Sequence, residues 1–210
     1  MRVVLGIVLF GSVTLAAADP VAGEVQVAAR RAVPAVTADE ALAWVRVADD
    51  PCHAGCTSKA VQSAPLAGGV RVEIRETQSD ELVGPRLGIA IHAGDMWWAA
   101  PDEIQLVHFD CGAGHCNEIT LDAVTISETN DIVWVRFDVA NAHTFNDPEY
   151  RAMNHTTHQT IVVGCKLAAG AVTCASADSA DEDGLGSVKM SGTAVTFTRA
   201  GAHSVTRFAF

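Results

Sequence analysis

From Val70 to the end of the chain, apolar side chains recur at every second position in one short run after another. Val70, Val72 and Ile74 alternate with Arg71, Glu73 and Arg75, and Leu87, Ile89 and Ile91 alternate with Gly88, Ala90 and His92. Ile104, Leu106 and His108 alternate with Gln105, Val107 and Phe109. Ile119 and Leu121 run on toward Ile126, and 132–139 alternates after its first residues. Shorter β-branched runs follow at 161–163, 172–173, 195–197 and 205–210. A period of two places successive side chains on opposite faces of a strand. Gly68-Gly69, Ala93-Gly94-Asp95, Thr129-Asn130-Asp131, Ala169-Gly170 and Ala200-Gly201 supply turns between the runs. About ten strands at hairpin spacing, each with one apolar face, predict an all-β fold, an antiparallel β-sandwich or barrel.

Helical signals are few. Asp147 suits an N-cap, Pro148 the first helical position, and Asn154 a stop, which predicts one short helix near 148–153. Thr37-Ala38-Asp39-Glu40 fits a capping box that would start a helix at Ala38. Against it, Ala43, Val45 and Val47 alternate with Trp44 and Arg46, and the strand reading is preferred there. Residues 19–40, rich in Ala and Val with Pro20 and Pro34, are expected to form an N-terminal extension or linker, with one strand over 24–29. Residues 41–210 are then a single β domain, long enough to bury a sizeable core.

The first residues change the picture from fold to compartment. MRVVLGIVLFGSVTLAAADP carries one cation, an apolar stretch and then Ala16-Ala17-Ala18, the order of a cleaved secretory signal over 1–18. The apolar stretch is short for a bilayer span. The expected location is secreted or periplasmic, with no membrane insertion after cleavage. The formal net charge is −11, and about −12 once Arg2 leaves with the signal. A dispersed acidic surface repels phosphate backbones and anionic lipid, so nucleic acid is not an expected partner. An extracellular or envelope ligand of unknown identity is.

Six cysteines fall into three near-neighbour pairs. In an exported chain the expectation is disulfides, although six cysteines allow 15 connectivities. If Ala169-Gly170 is a two-residue turn, Cys165 lies opposite Cys174 across a hairpin, within disulfide reach. Cys111 and Cys116 flank Gly112-Ala113-Gly114-His115, and Cys52 and Cys56 close a tight loop containing Gly55. The expected bonds are Cys52–Cys56, Cys111–Cys116 and Cys165–Cys174. A four-thiolate zinc site on the first four cysteines is the rival, but its usual knuckle has two intervening residues, not three and four. A redox dithiol lacks C-x-x-C and a βαβ setting.

Three further clusters are candidates for chemistry. His143, His155 and His158 flank the expected helix, with Asp147 and Glu149 between them. Imidazoles with a carboxylate are what a transition metal takes. On a helical turn His155 and His158 would share a face, and on a strand they would oppose. Ordinary loop histidines are the plainer reading. Residues 179–184, with Asp181 and Asp183, begin like a calcium loop, but Met190 stands where a bidentate Glu belongs. Trp97 and Trp98 offer flat indoles for stacking on a sugar, yet adjacent strand residues face opposite ways, so core packing is the plainer reading for at least one. No G-x-S-x-G, G-x-G-x-x-G or Walker-type loop is present.

The sequence therefore points to an exported, disulfide-stapled β module that binds or supports without catalysis and needs no cofactor. One alternative is a secreted metal-binding protein or metal-dependent hydrolase using the histidines with zinc. Another is a calcium-assisted carbohydrate-binding module using Trp97 or Trp98. Fold does not choose among them.

Overall fold

A computed structural model describes residues 24–46, 52, 56–78, 84–112, 114–145, 147–168, 170–179, 186–199 and 202–210. The expected signal at 1–18 and the acidic loop with Asp181 and Asp183 lie outside the described residues. The fold is all-β, as the two-residue period predicts, with nearly every strand pair antiparallel.

Among the described residues the strands form three sheets. The central sheet runs, in spatial order, β2 (Arg30–Arg31), β12 (Ala171–Asp178), β11 (His155–Ala168), β10 (Ile132–Phe145), β9 (His115–Thr129) and β8 (Val107–Gly112). On one side lies a sheet of β3 (Ser58–Pro65), β4 (Arg71–Thr77), β5 (Arg86–Ala93) and β6 (Met96–Ala99), with the two-residue β7 (Ile104–Gln105) also pairing β5. On the other lie β1 (Glu24–Ala28), β15 (Ala202–Ala209), β14 (Ala194–Arg199) and β13 (Ser187–Ser191). β1 runs parallel to β15, the exception to the antiparallel rule.

Three layers explain why 132–135 reads as continuous apolar residues rather than strict alternation. Val133, Val135, Phe137 and Val139 pack with Val163, Cys165, Val172 and Cys174 against Val72, Ile74, Leu87, Ile89, Ile91 and Trp98. Ile132 and Trp134, on the opposite face of β10, pack with Val162 and Ala175 against Val195, Phe197 and Phe208. A strand covered on both faces has no reason to alternate. Gly164 lies directly against the rings of the second core. A Cβ there would stand 2.7 Å from Trp134 Cζ3 and 2.9 Å from Phe208 Cδ2.

Two local expectations need correction. The α-helix is not at 148–153, where a 3-10 turn covers Arg151–Met153, but at α1 (Ala38–Ala43). The capping box prevails over the short alternation. Thr37 Oγ1 accepts from the Glu40 N–H, and Glu40 Oε2 accepts from the Thr37 N–H. Ala41 and Leu42 then pack with Ala35 and Ala99 on the outer side of β5 and β6. Gly88 allows that approach, since a Cβ there would meet Leu42 Cδ2 at 2.5 Å. The run from Ile104 to Phe109 is likewise not one strand. Ile104–Gln105 pairs β5, and from Val107 the chain pairs β9, so it changes sheet at Leu106.

Residues 24–40, part of the segment expected as an N-terminal extension over 19–40, are woven through the layers. β1 joins one outer sheet, β2 pairs β12 in the centre, and Ala35 bridges Trp97 of the other outer sheet before α1 begins. All three expected disulfides are present. Cys165 and Cys174 face each other in register with Cα atoms 4.1 Å apart, and Cys111 and Cys116 do the same at 4.1 Å. Cys52 and Cys56 close their loop at 4.8 Å.

Candidate functional site: a cleft over the central sheet

No residue of the apolar clusters lies beyond Val139 toward Phe145 on β10, or before Ile161 on β11, among the described residues. At that margin a cleft of about 320 Å³ opens between the central sheet and the 102–105 segment. Ile119, Phe137, Val139, Ile161 and Val163 make its floor, and Asp102, Glu103, Gln105, Gln159, Ser176 and Asp178 stand around it. An apolar concavity with a few placed polar groups is the ordinary form of a small-ligand site.

The sheet switch at Leu106 builds the rim. Gln105 is pinned by its own amide, which donates to the carbonyls of Gly84 (2.8 Å) and Leu106 (2.9 Å) and accepts from Arg86 Nε (2.9 Å). Asp102 accepts from Arg30 Nη2 at 2.7 Å and from Ser176 Oγ, which ties the rim to β12. Glu103 receives Arg46 in a two-pronged bond, Nη2 to Oε1 at 2.7 Å and Nε to Oε2 at 3.1 Å. Arg46 also donates to Thr77 Oγ1 (2.8 Å) and to the Cys52 carbonyl (3.1 Å). One buried guanidinium thus joins the end of α1, the end of β4, the first disulfide loop and the cleft. Asp178 accepts from Gln159 Nε2 at 2.8 Å and has no cation within ion-pair distance among the described residues. The Cys165–Cys174 bond holds β11 and β12 two residues from Val163 and Ser176, fixing the floor's register.

The residues singled out from the sequence fall elsewhere. Trp98 is buried in the main core, 6% exposed. Trp97 is half-buried, with its ring 4.8 Å from His92 and 5.2 Å from the Arg71 guanidinium. Its backbone bonds Ala35 in both directions. Asp181 and Asp183 lie outside the described residues.

His143 and His155 meet as a directly opposed pair on β10 and β11, rings stacked at 4.8 Å and 19°. They share the face of Val139 and Ile161. His158 sits three residues from His155, on the other face, with Nδ1 3.4 Å from Asp122 Oδ2, too long for a well-formed hydrogen bond. Asp122 is the extra residue of a bulge opposite Asp138 and Val139. The three histidines therefore do not converge. Among the described residues no three His, Cys, Asp or Glu side chains are spaced to hold a metal ion.

Sequence reasoning missed every rim residue of the cleft. Asp102-Glu103 directly after a buried strand was the available signal, since two adjacent carboxylates interrupting apolar runs need partners. Those partners stand as far off as Arg30 and Ser176. No family model, no curated protein and no solved structure matches the chain. The fold and site define a disulfide-stapled, three-layer β protein with a small concave site.

Proposed function

We propose that this chain is an exported, non-catalytic binding module, and that its ligand is a small neutral or cationic amphiphile seated in the cleft. The observation that carries the reading is the pairing of an apolar floor with a polar rim in about 320 Å³, a volume that suits a small organic molecule. Asp102 and Glu103 are already engaged by arginines, whereas Asp178 is held by an amide alone, so a hydrogen-bond donor or a cation is the favoured head group. Thr157, next along the same face of β11, has a buried hydroxyl with no partner among the described residues. A buried hydroxyl left unpaired costs about 1–3 kcal/mol, so a ligand or solvent group beside it is favoured. Three disulfides fit an oxidising compartment, and no helix among the described residues is long and apolar enough to cross a membrane.

The neutral fluorescent amine N-phenyl-1-naphthylamine tests the site. The wild-type chain should give a saturable fluorescence rise with one site per chain, and Gln159→Trp, which roofs the cleft, should abolish it without changing the melting temperature. A rise that never saturates, or one that survives in Gln159→Trp, overturns the assignment. Export is tested by sequencing the amino terminus of chain collected outside the cytoplasm, which should begin at Asp19.

A further inference from the structure

We propose that His143 and His155 form a binding site for a divalent transition metal, Cu2+ most tightly, through their two Nε2 atoms. The site needs neither His158 nor the cleft ligand. Register places the two residues directly opposite each other on adjacent central strands, so their Cβ atoms are held as neighbours by the backbone ladder itself. The hydrogen bonds then decide which nitrogen is free. His155 Nδ1 lies 2.8 Å from the Met153 carbonyl, and a carbonyl only accepts, so the proton is on Nδ1. His143 Nδ1 lies 2.7 Å from Asn117 Oδ1, again an acceptor, with the same result. In the neutral imidazole form each ring therefore carries its lone pair on Nε2.

A carbonyl or amide oxygen fixing the second nitrogen is the arrangement that orients metal-ligating imidazoles and raises their basicity. The 3-10 turn at Arg151–Met153 acquires a purpose in this light, since it delivers the Met153 carbonyl to His155. Among the described residues no carboxylate completes a metal cluster with the pair, which disfavours hard oxygen-seeking ions such as Ca2+, while imidazole nitrogens suit copper, nickel and zinc, with copper at the top of the affinity order. To share an ion the stacked rings must open by a small turn about their last side-chain torsion, which is soft for histidine, within the latitude that the Nδ1 hydrogen bonds to Met153 and Asn117 allow. Water or a ligand group fills the other coordination positions. The pair stands four residues along β10 from Val139, on the same face as the cleft floor.

Calorimetric titration of CuCl2 into the full, oxidised, chelator-stripped chain tests this, together with the nitrogen couplings in the copper electron spin resonance spectrum. One Cu2+ per chain with two imidazole nitrogens is expected. His143→Ala and His155→Ala should each weaken binding at least about tenfold, while His158→Ala, on the opposite face, leaves it unchanged. The disulfide count and circular dichroism of each variant establish that the fold survives. Absence of binding to wild type overturns the proposal. So does undiminished binding in both His143→Ala and His155→Ala, or an equal loss in His158→Ala. Because the dye titration uses a separate site, failure of either reading leaves the other standing.

Discussion

Replacing Glu103 by Gln removes one charge from the most buried ion pair described and changes almost nothing else. The Arg46 side chain is 2% exposed and that of Glu103 10%, so neither can turn to solvent when its partner is lost. Arg86 Nη1 also lies 3.9 Å from Glu103 Oε2, so both guanidinium groups exchange a charged acceptor for a neutral one in the variant. Breaking a buried pair from one side costs about 3–5 kcal/mol, where an exposed pair is worth at most about 1 kcal/mol. The low end is expected, about 3 kcal/mol, because the Gln oxygen still accepts one bond and the Thr77 and Cys52 contacts to Arg46 remain. For a chain of this size that lowers the melting temperature by about 6–12 °C. Urea unfolding of the disulfide-intact protein measures it directly. The double variant Arg46→Met with Glu103→Leu should recover most of the loss, since apolar groups of similar volume often replace a buried pair without penalty. A cost below about 1 kcal/mol for Glu103→Gln, or a double variant no better than the single one, would refute the view that burial makes this pair matter.

Four further outcomes can be checked alongside. Gly164→Ala pushes a methyl group into the Trp134 and Phe208 rings and should cost about 1–3 kcal/mol, read as a lower thermal midpoint; an unchanged midpoint would mean that this core is loosely packed. Thr37→Ala removes the hydroxyl that caps α1 and should cost about 1 kcal/mol, with Thr37→Ser restoring most of it in the same denaturation assay. Intact-mass measurement without reduction should find six hydrogens fewer than in the reduced chain. Cys165→Ala with Cys174→Ala should cost about 2.7 kcal/mol from loop entropy, and a variant as stable as wild type would show that the hairpin holds its register without the bond.

Strand content and the three disulfide pairings were legible in the chain because each rests on local geometry. Alternation states which side chains share a face, and a short turn between Cys165 and Cys174 states which residues are opposed. The same logic already implied that His155 and His158 would part company if 155–158 were a strand. Helix α1 was half-legible. Its capping box is in the sequence, but six residues are too few for periodicity to outweigh a short alternating run, and packing of Ala41 and Leu42 against Ala35 and Ala99 decided the matter. The cleft, the Arg46–Glu103 pair and the His143–His155 pair were not legible. Arg46 and Glu103 are 57 residues apart, and His143 meets His155 because β10 and β11 happen to pair in one register of many. Alternation tells a strand that it has a face to bury but not which sheet will cover it. Only the stacking of three sheets determined that β10 is covered on both faces over 132–135 and on one face as far as Val139, and so where a ligand can reach the chain.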